Sequence, residues 1–109
     1  MSSEFEPSGR RICPIADALD VVGDRWSLLI VRELSFGVTR FNDIRAHTGA
    51  PRATVAARLR DLEASGLVER HRYNEHPPRD EYRLTACGAE LAPTLRALRR
   101  WGERHATQA

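Results

Sequence analysis

Between Phe36 and Arg60 the chain carries five arginines, Arg40, Arg45, Arg52, Arg58 and Arg60, against a single acid, Asp43. A guanidinium presents its N–H donors as a planar fork, which matches phosphate oxygens and the O6 and N7 edge of guanine. Ala53, Thr54 and Ala57 are interleaved with these arginines, and small side chains of this kind can meet a thymine methyl. The chemistry on offer is recognition of a polyanion, not the making or breaking of a bond. Cys13 is the other candidate: it follows Arg10 and Arg11 and precedes Pro14, at the expected start of a helix. The helix dipole and the two cations there favour a reactive thiolate. An inert, buried cysteine is the competing reading of Cys13, and Cys87 falls in no motif.

Other chemistries fit poorly. A metal site drawn from Cys13, Cys87, His47, His71, His76 and His105 has no pair at helical or short-loop ligand spacing, so no metal is expected. There is no Gly-rich phosphate loop, paired-carboxylate site or Ser/His/Asp arrangement, so neither an enzyme nor a bound cofactor is expected.

The arginines need a scaffold, and the hydrophobic period supplies one. Pro14 suits a first helical position, Ile15, Leu19 and Val22 recur at helical spacing, and Gly23 stops this first helix. Asp24 is a good N-cap for Arg25 to Leu34, where Trp26, Leu29, Ile30 and Leu34 share a face, widened by Leu28 and Val31. Thr39 can cap a short helix from Arg40 to Thr48 that turns Phe41 and Ile44 inward and ends at Gly49. Pro51 then opens a fourth helix, with Ala50 in the N-cap place, on which Val55, Leu59 and Leu62 repeat before Ser65-Gly66. Two helices joined by a short turn containing glycine form a helix-turn-helix pattern.

After Gly66 the period changes. Leu67 to Tyr73 and Glu81 to Leu84 read as strands of a hairpin, with Asn74 to Asp80 as a proline-stiffened tip. Thr85 can cap a last helix carrying the stripe Leu91, Leu95, Leu98 and Trp101, and Pro93 should bend that helix or move its start. The expected fold is mainly α with a small β-hairpin, in winged helix-turn-helix order. On DNA, the fourth helix would enter the major groove and the hairpin tip would reach a phosphate or the minor groove. With Val55, Leu59 and Leu62 inward, Ala53, Ala57 and Arg60 face away, with Thr54 and Arg58 on a flank. The expected DNA contacts are Arg40, Arg52, Ala53, Thr54, Ala57, Arg58, Arg60, His76 and Arg79. A basic face that is merely solvated, or a winged helix used for protein contact, remains the alternative.

The run from Cys13-Pro14-Ile15 to Gly23, then Asp24-Arg25-Trp26-Ser27-Leu28-Leu29 to Leu34, resembles the opening of HxlR-type regulators. Arg40-Phe41-Asn42-Asp43-Ile44, Arg58-Leu59 to Leu67, and Tyr82-Arg83-Leu84-Thr85 with Gly88 extend the resemblance to about Trp101. It implies a transcriptional repressor or activator, a homodimer built from terminal helices, and double-stranded operator DNA as partner. In the redox-sensing branch it also implies a cysteine in the Cys13-Pro14 context as sensor of a small reactive effector. The expected dimer face is Ile15 and Leu19 with Leu91, Leu95, Leu98 and Trp101. Independently, so long an apolar stripe on a small domain calls for a cover.

The 109 residues, 41% hydrophobic and 29% charged, suit one globular core. Residues 1–11, rich in Ser, Glu and Pro, read as a flexible arm before a domain over 12–105. With no apolar run near the roughly 18 residues of a membrane span and no signal-like start, the cytoplasm is the expected location and no membrane is a partner.

Overall fold

The computed structural model describes residues 4–106, and its elements run in the expected order. α1 (Pro14–Val22) and α2 (Arg25–Ser35) are followed by α3 (Phe41–Thr48) and α4 (Arg52–Ala64). Next come β1 (Val68–Glu75) and β2 (Pro78–Leu84), then α5 (Ala86–Ala89) and α6 (Ala92–His105). The core is shared by α2, α3, α4 and the root of the hairpin. Ile30, Val31, Leu34, Ile44, Ala50, Val55, Leu59, Leu62, Leu67 and Val68 are buried there, joined by Val22 from the end of α1.

Asp24 starts α2 by accepting hydrogen bonds from the backbone N–H of Trp26, at 3.1 Å, and of Ser27, at 3.0 Å, and from the Ser27 hydroxyl. This satisfies donors that the first turn of a helix leaves free. Partial burial raises the Asp24 carboxyl, but these hydrogen bonds together outweigh it, and the pKa lies below its ordinary value.

Four boundaries differ from expectation, each for a tertiary reason. Thr39 does not cap α3. It lies extended against β2, its carbonyl accepting from Tyr82 N–H at 2.8 Å, and Arg40 bridges Glu81, so the helix begins one residue later with Arg40 as N-cap. Pro51, not Ala50, holds the N-cap place of α4, because Ala50 is drawn into the core. The supposed loop from Asn74 to Asp80 is mostly strand: β1 and β2 stay paired out to Glu75 and Pro78, leaving His76-Pro77 as the turn. Thr85 caps only the short α5, accepting from Gly88 N–H at 3.1 Å and donating to the Gly66 carbonyl at 2.6 Å. α6 then starts afresh at Ala92 with Pro93 in its first turn, as a proline lacking an N–H requires. A Cβ on Gly88 would sit 2.2 Å from the Leu67 carbonyl oxygen, so this close approach admits only glycine.

The segment before α1, expected as an unstructured arm, is folded back on itself over its described part. Phe5 and Arg11 form an isolated bridge, Ile12 N–H donates to the Glu4 carbonyl at 2.7 Å, and the Arg11 guanidinium sits over the Phe5 ring.

Replacing Asp24 with Ala should cost about 1 kcal/mol of stability at neutral pH, the usual effect of losing a cap. A group whose pKa is lowered by folding stabilises the fold above its unfolded value and loses that contribution as pH falls through its folded value. Denaturant melts of both proteins should therefore differ at pH 7 and converge on acidification; a gap that persists at the acid end would show that the cap charge is irrelevant.

Candidate nucleic-acid interface

The turn between α3 and α4 aims the arginines. Gly49 ends α3 at φ 77°, a left-handed conformation that glycine adopts without the Cβ penalty, and its N–H donates to the Arg45 carbonyl. Thr48 Oγ1 donates to the Ile44 carbonyl at 2.8 Å and accepts from Ala50 N–H at 3.3 Å. Val55, Leu59 and Leu62 are almost wholly buried, which sets the rotation of α4 about its axis. On the opposite side Ala53 and Arg60 are exposed and Ala57 is half-buried, with Thr54 half-buried on the flank.

The predicted contacts separate into groups. Arg60 points outward on the side of α4 within electrostatic reach of Tyr82 on β2. Arg52 is held toward α3, donating to Asn42 Oδ1 at 3.1 Å with its guanidinium 5.3 Å from the Phe41 ring centre. Arg58 departs from its expected place on a base-reading flank. It ion-pairs with Asp61 at 3.2 Å and lines, with Asp20 and Asp24, a groove at the α1–α2 junction. Its position on the inner flank, between the core row and solvent, explains this: the side chain meets α2 before it can reach outward.

The hairpin carries many charges, but most are matched within it. Arg72 pairs with Asp80 at 3.2 Å, Arg70 reaches Asp80 at 4.0 Å, Arg83 pairs with Glu81 at 3.0 Å and His71 with Glu69 at 3.1 Å. At the tip, exposed His76 and Arg79 have no ion-pair partner among the described residues, as expected of groups that would face phosphate. Arg40 lies at the wing's root with its guanidinium 4.9 Å from the Tyr73 ring centre. Burial, then the Asp80 charge, push the Tyr82 phenol above its ordinary pKa, with Arg70 and Arg60 opposing, so it stays protonated at neutral pH.

Two residues of this region were not among the expected site residues. Arg45, on α3, is exposed and has no acid partner among the described residues; its membership of the basic segment was the available signal. Glu33 is buried on α2, in phase with Ile30 on the apolar face. It accepts from Arg32 Nε at 2.8 Å and meets His47 Nδ1 at 2.7 Å, which ties α2 to α3. A charged residue in the phase of an apolar stripe was the signal there.

The thiol of Cys13 is free and half-buried at the N-cap of α1, where it makes no side-chain capping bond. Arg10 and Arg11, expected to favour its thiolate, reach Asp20 at 3.7 Å and Glu4 at 3.9 Å instead. Cys87 is exposed on α5. Among the described residues no group of His, Cys, Asp and Glu could hold a metal, and no helix is long and apolar enough to cross a membrane.

The terminal helices show a split stripe. Leu91 and Leu95, expected at a dimer face, instead pack against the core of their own chain. Ile15, Leu19, Leu98 and Trp101 remain 70%, 55%, 52% and 59% exposed.

The sequence profile of the HxlR-like helix-turn-helix fits residues 21–109. The chain belongs to the HxlR-like helix-turn-helix family. Within it, the chain is 44% identical over 91 residues to Mb3122 of Mycobacterium bovis, an uncharacterized HTH-type transcriptional regulator, covering 84% of this chain and 58% of that protein. It is 33% identical to YdeP of Bacillus subtilis, also an uncharacterized HTH-type transcriptional regulator, covering 85% and 73% of the two chains. Among solved structures, the redox regulator HypR in its oxidised form superposes with a TM-score of 0.74 at 33% identity, covering 88% of this chain and all of that one. The family match takes in both helices of the helix-turn-helix, α3 and α4, together with the hairpin and α6, and begins at the end of α1.

Proposed function

We propose that this chain is a sequence-specific DNA-binding transcriptional regulator acting as a homodimer in the cytoplasm. The observation that carries the reading is the outer face of α4. Ala53 and Ala57 keep it slim enough to enter a major groove, while Arg60, Arg45, Arg40 and Arg79 surround it without an acid to neutralise them among the described residues. Cations left unpaired around the exposed face of a helix are positioned for an external polyanion. In this reading Arg60, Arg45, Arg40, His76 and Arg79 meet phosphates, and Ala53, Thr54, Ala57 and Arg52 lie nearest the base edges. Arg58 serves to brace α4 against the α1–α2 junction.

The exposed Ile15, Leu19, Leu98 and Trp101 form the dimer face, with Leu91 and Leu95 seating α6 on its own core beneath it. The radius of gyration, 16.3 Å, exceeds the roughly 13 Å of a compact chain of this length, as projecting elements that await a partner would produce. Two copies related by a two-fold axis would present two α4 helices to half-sites about one turn of DNA apart, which requires a pseudo-palindromic operator. Cys13 is the sensor for an oxidant or electrophile: its thiol is free, partly accessible and at a helix start, and HypR, which this chain resembles, is a redox regulator.

Selection of bound duplexes from a random library should enrich an inverted repeat. Ala57→Glu should abolish binding to it, and Arg60→Ala, which removes one phosphate contact from each protomer, should weaken it and make the slope of log affinity against log salt shallower by about 1.8. Failure of the folded protein to enrich any sequence, with a protein partner bound in a salt-insensitive way, would move the reading to a protein-interaction module.

The double variant Leu98→Glu/Trp101→Glu should run as a monomer in light scattering while keeping its helical circular dichroism; a dimer of unchanged affinity would remove these residues from the interface. A thiol-reactive electrophile should change operator affinity in the wild type and not in Cys13→Ser, and equal responses in the two proteins would discard the sensor.

A further inference from the structure

Between the C-terminal part of α2 and the first turns of α6 lies a groove of about 690 Å³ that the DNA face does not use. Small-molecule sites typically occupy about 300–1,000 Å³ and combine an apolar floor with a few polar groups. Leu28, Leu29 and Leu95 contribute the apolar surface, and Phe36, 69% exposed, stands at one end. All the charged residues that line it are arginines: Arg32, Arg96 and Arg99. Arg96 has no acid partner among the described residues, and Arg99 reaches only Glu103, at 3.6 Å along its own exposed helix face.

We propose that this groove binds a small amphipathic anion, an organic carboxylate on an aromatic or aliphatic body, and that its occupancy weakens DNA binding through Arg32. An apolar floor rimmed by cations and free of carboxylates is complementary to such a molecule at both ends. A second copy of the chain suits it less well, because covering Arg96, which has no acid partner among the described residues, with apolar surface would strip its hydration without supplying a counter-charge. Of the exposed apolar face, Leu98 also lines the groove, whereas Ile15, Leu19 and Trp101 lie outside it.

The link to DNA rests on the regulator reading above and on one side chain. Arg32 donates through Nε to Glu33 at 2.8 Å and through Nη2 to the His47 carbonyl of α3 at 3.4 Å. Glu33 in turn meets His47 Nδ1. A carboxylate in the groove competes for the Arg32 guanidinium and draws it from the His47 carbonyl, which loosens the tie between α2 and α3. Because α3 and the Gly49 turn set where α4 sits, the DNA face shifts with it.

The test uses the full chain and 1-naphthoate as probe, with 1-naphthalenemethanol as its uncharged counterpart. Calorimetry should show saturable binding of naphthoate. Binding should weaken by about tenfold or more for the alcohol, and equally for naphthoate with Arg96→Gln/Arg99→Gln, whose exposed positions leave folding intact. Saturating naphthoate should lower the affinity of the wild type for its selected duplex several-fold, and Arg32→Gln, titrated with naphthoate to its own saturation, should lose that response. Equal binding of naphthoate and alcohol, an unchanged double variant, or no saturable binding would overturn the site. So would naphthoate binding that appears only when dilution separates a dimer, which would assign the groove to a second copy. Calorimetry needs no DNA, so intact naphthoate binding without DNA binding would strike the regulator reading, and the reverse would strike the groove.

Discussion

The rotation of α4 about its own axis is the constraint on which the interface depends. Each residue advances about 100° around a helix, so the buried row of Val55, Leu59 and Leu62 decides what every other side chain of α4 can meet. Ala53, Ala57 and Arg60 fall opposite the row and face outward. Arg52 and Arg58 fall on its two flanks and are claimed by neighbours, Arg52 by Asn42 and Phe41 of α3, Arg58 by Asp61 beside the α1–α2 junction. The apolar side of the helix thus sorts its three arginines: Arg52 and Arg58 are held by neighbours, while Arg60 remains open to a polyanion.

Electrostatic matching refines the same division. Pairs along the hairpin leave its stem nearly neutral, while its tip and the outer sides of α3 and α4 keep unmatched cations. Exposed pairs of this kind add little stability, so their main consequence is to mute the charge of the stem relative to the tip. Glu33 differs because it is buried. Its two oxygens are both engaged, by Arg32 and His47, and removal of those partners would leave a buried charge uncompensated. That arrangement makes the junction of α2 and α3 a place where packing and charge act together, beside the α4 helix that α2 and α3 both contact.

At the other end of the molecule the fold is less complete. α6 rests on the core by Leu91 and Leu95 and then extends past it, leaving Leu98 and Trp101 exposed, as Ile15 and Leu19 of α1 are. The same divergence opens the groove toward α2. A helix seated by only its first turns therefore produces two surfaces that meet at Leu98, one of exposed apolar residues and one rimmed by arginine.

The order of elements was legible from the chain because it follows from local rules: helical spacing of apolar residues, proline and glycine as punctuation, Asp24 as a cap, and a change of period after Gly66. These rules also revealed the slim, basic face of α4, and the resemblance carried by Cys13 to Trp101 agreed with the family. Positions that depend on a second element were not legible. Thr39 is claimed by β2, Ala50 by the core, and the hairpin pairs to its very tip because its two strands align across His76-Pro77. Likewise, periodicity alone groups Leu91 and Leu95 with Leu98 and Trp101, since all four share one helix face. Only the point where α6 leaves the core separates them, and that point is set by what α2 offers to pack against, a property of the assembled fold that no local spacing encodes.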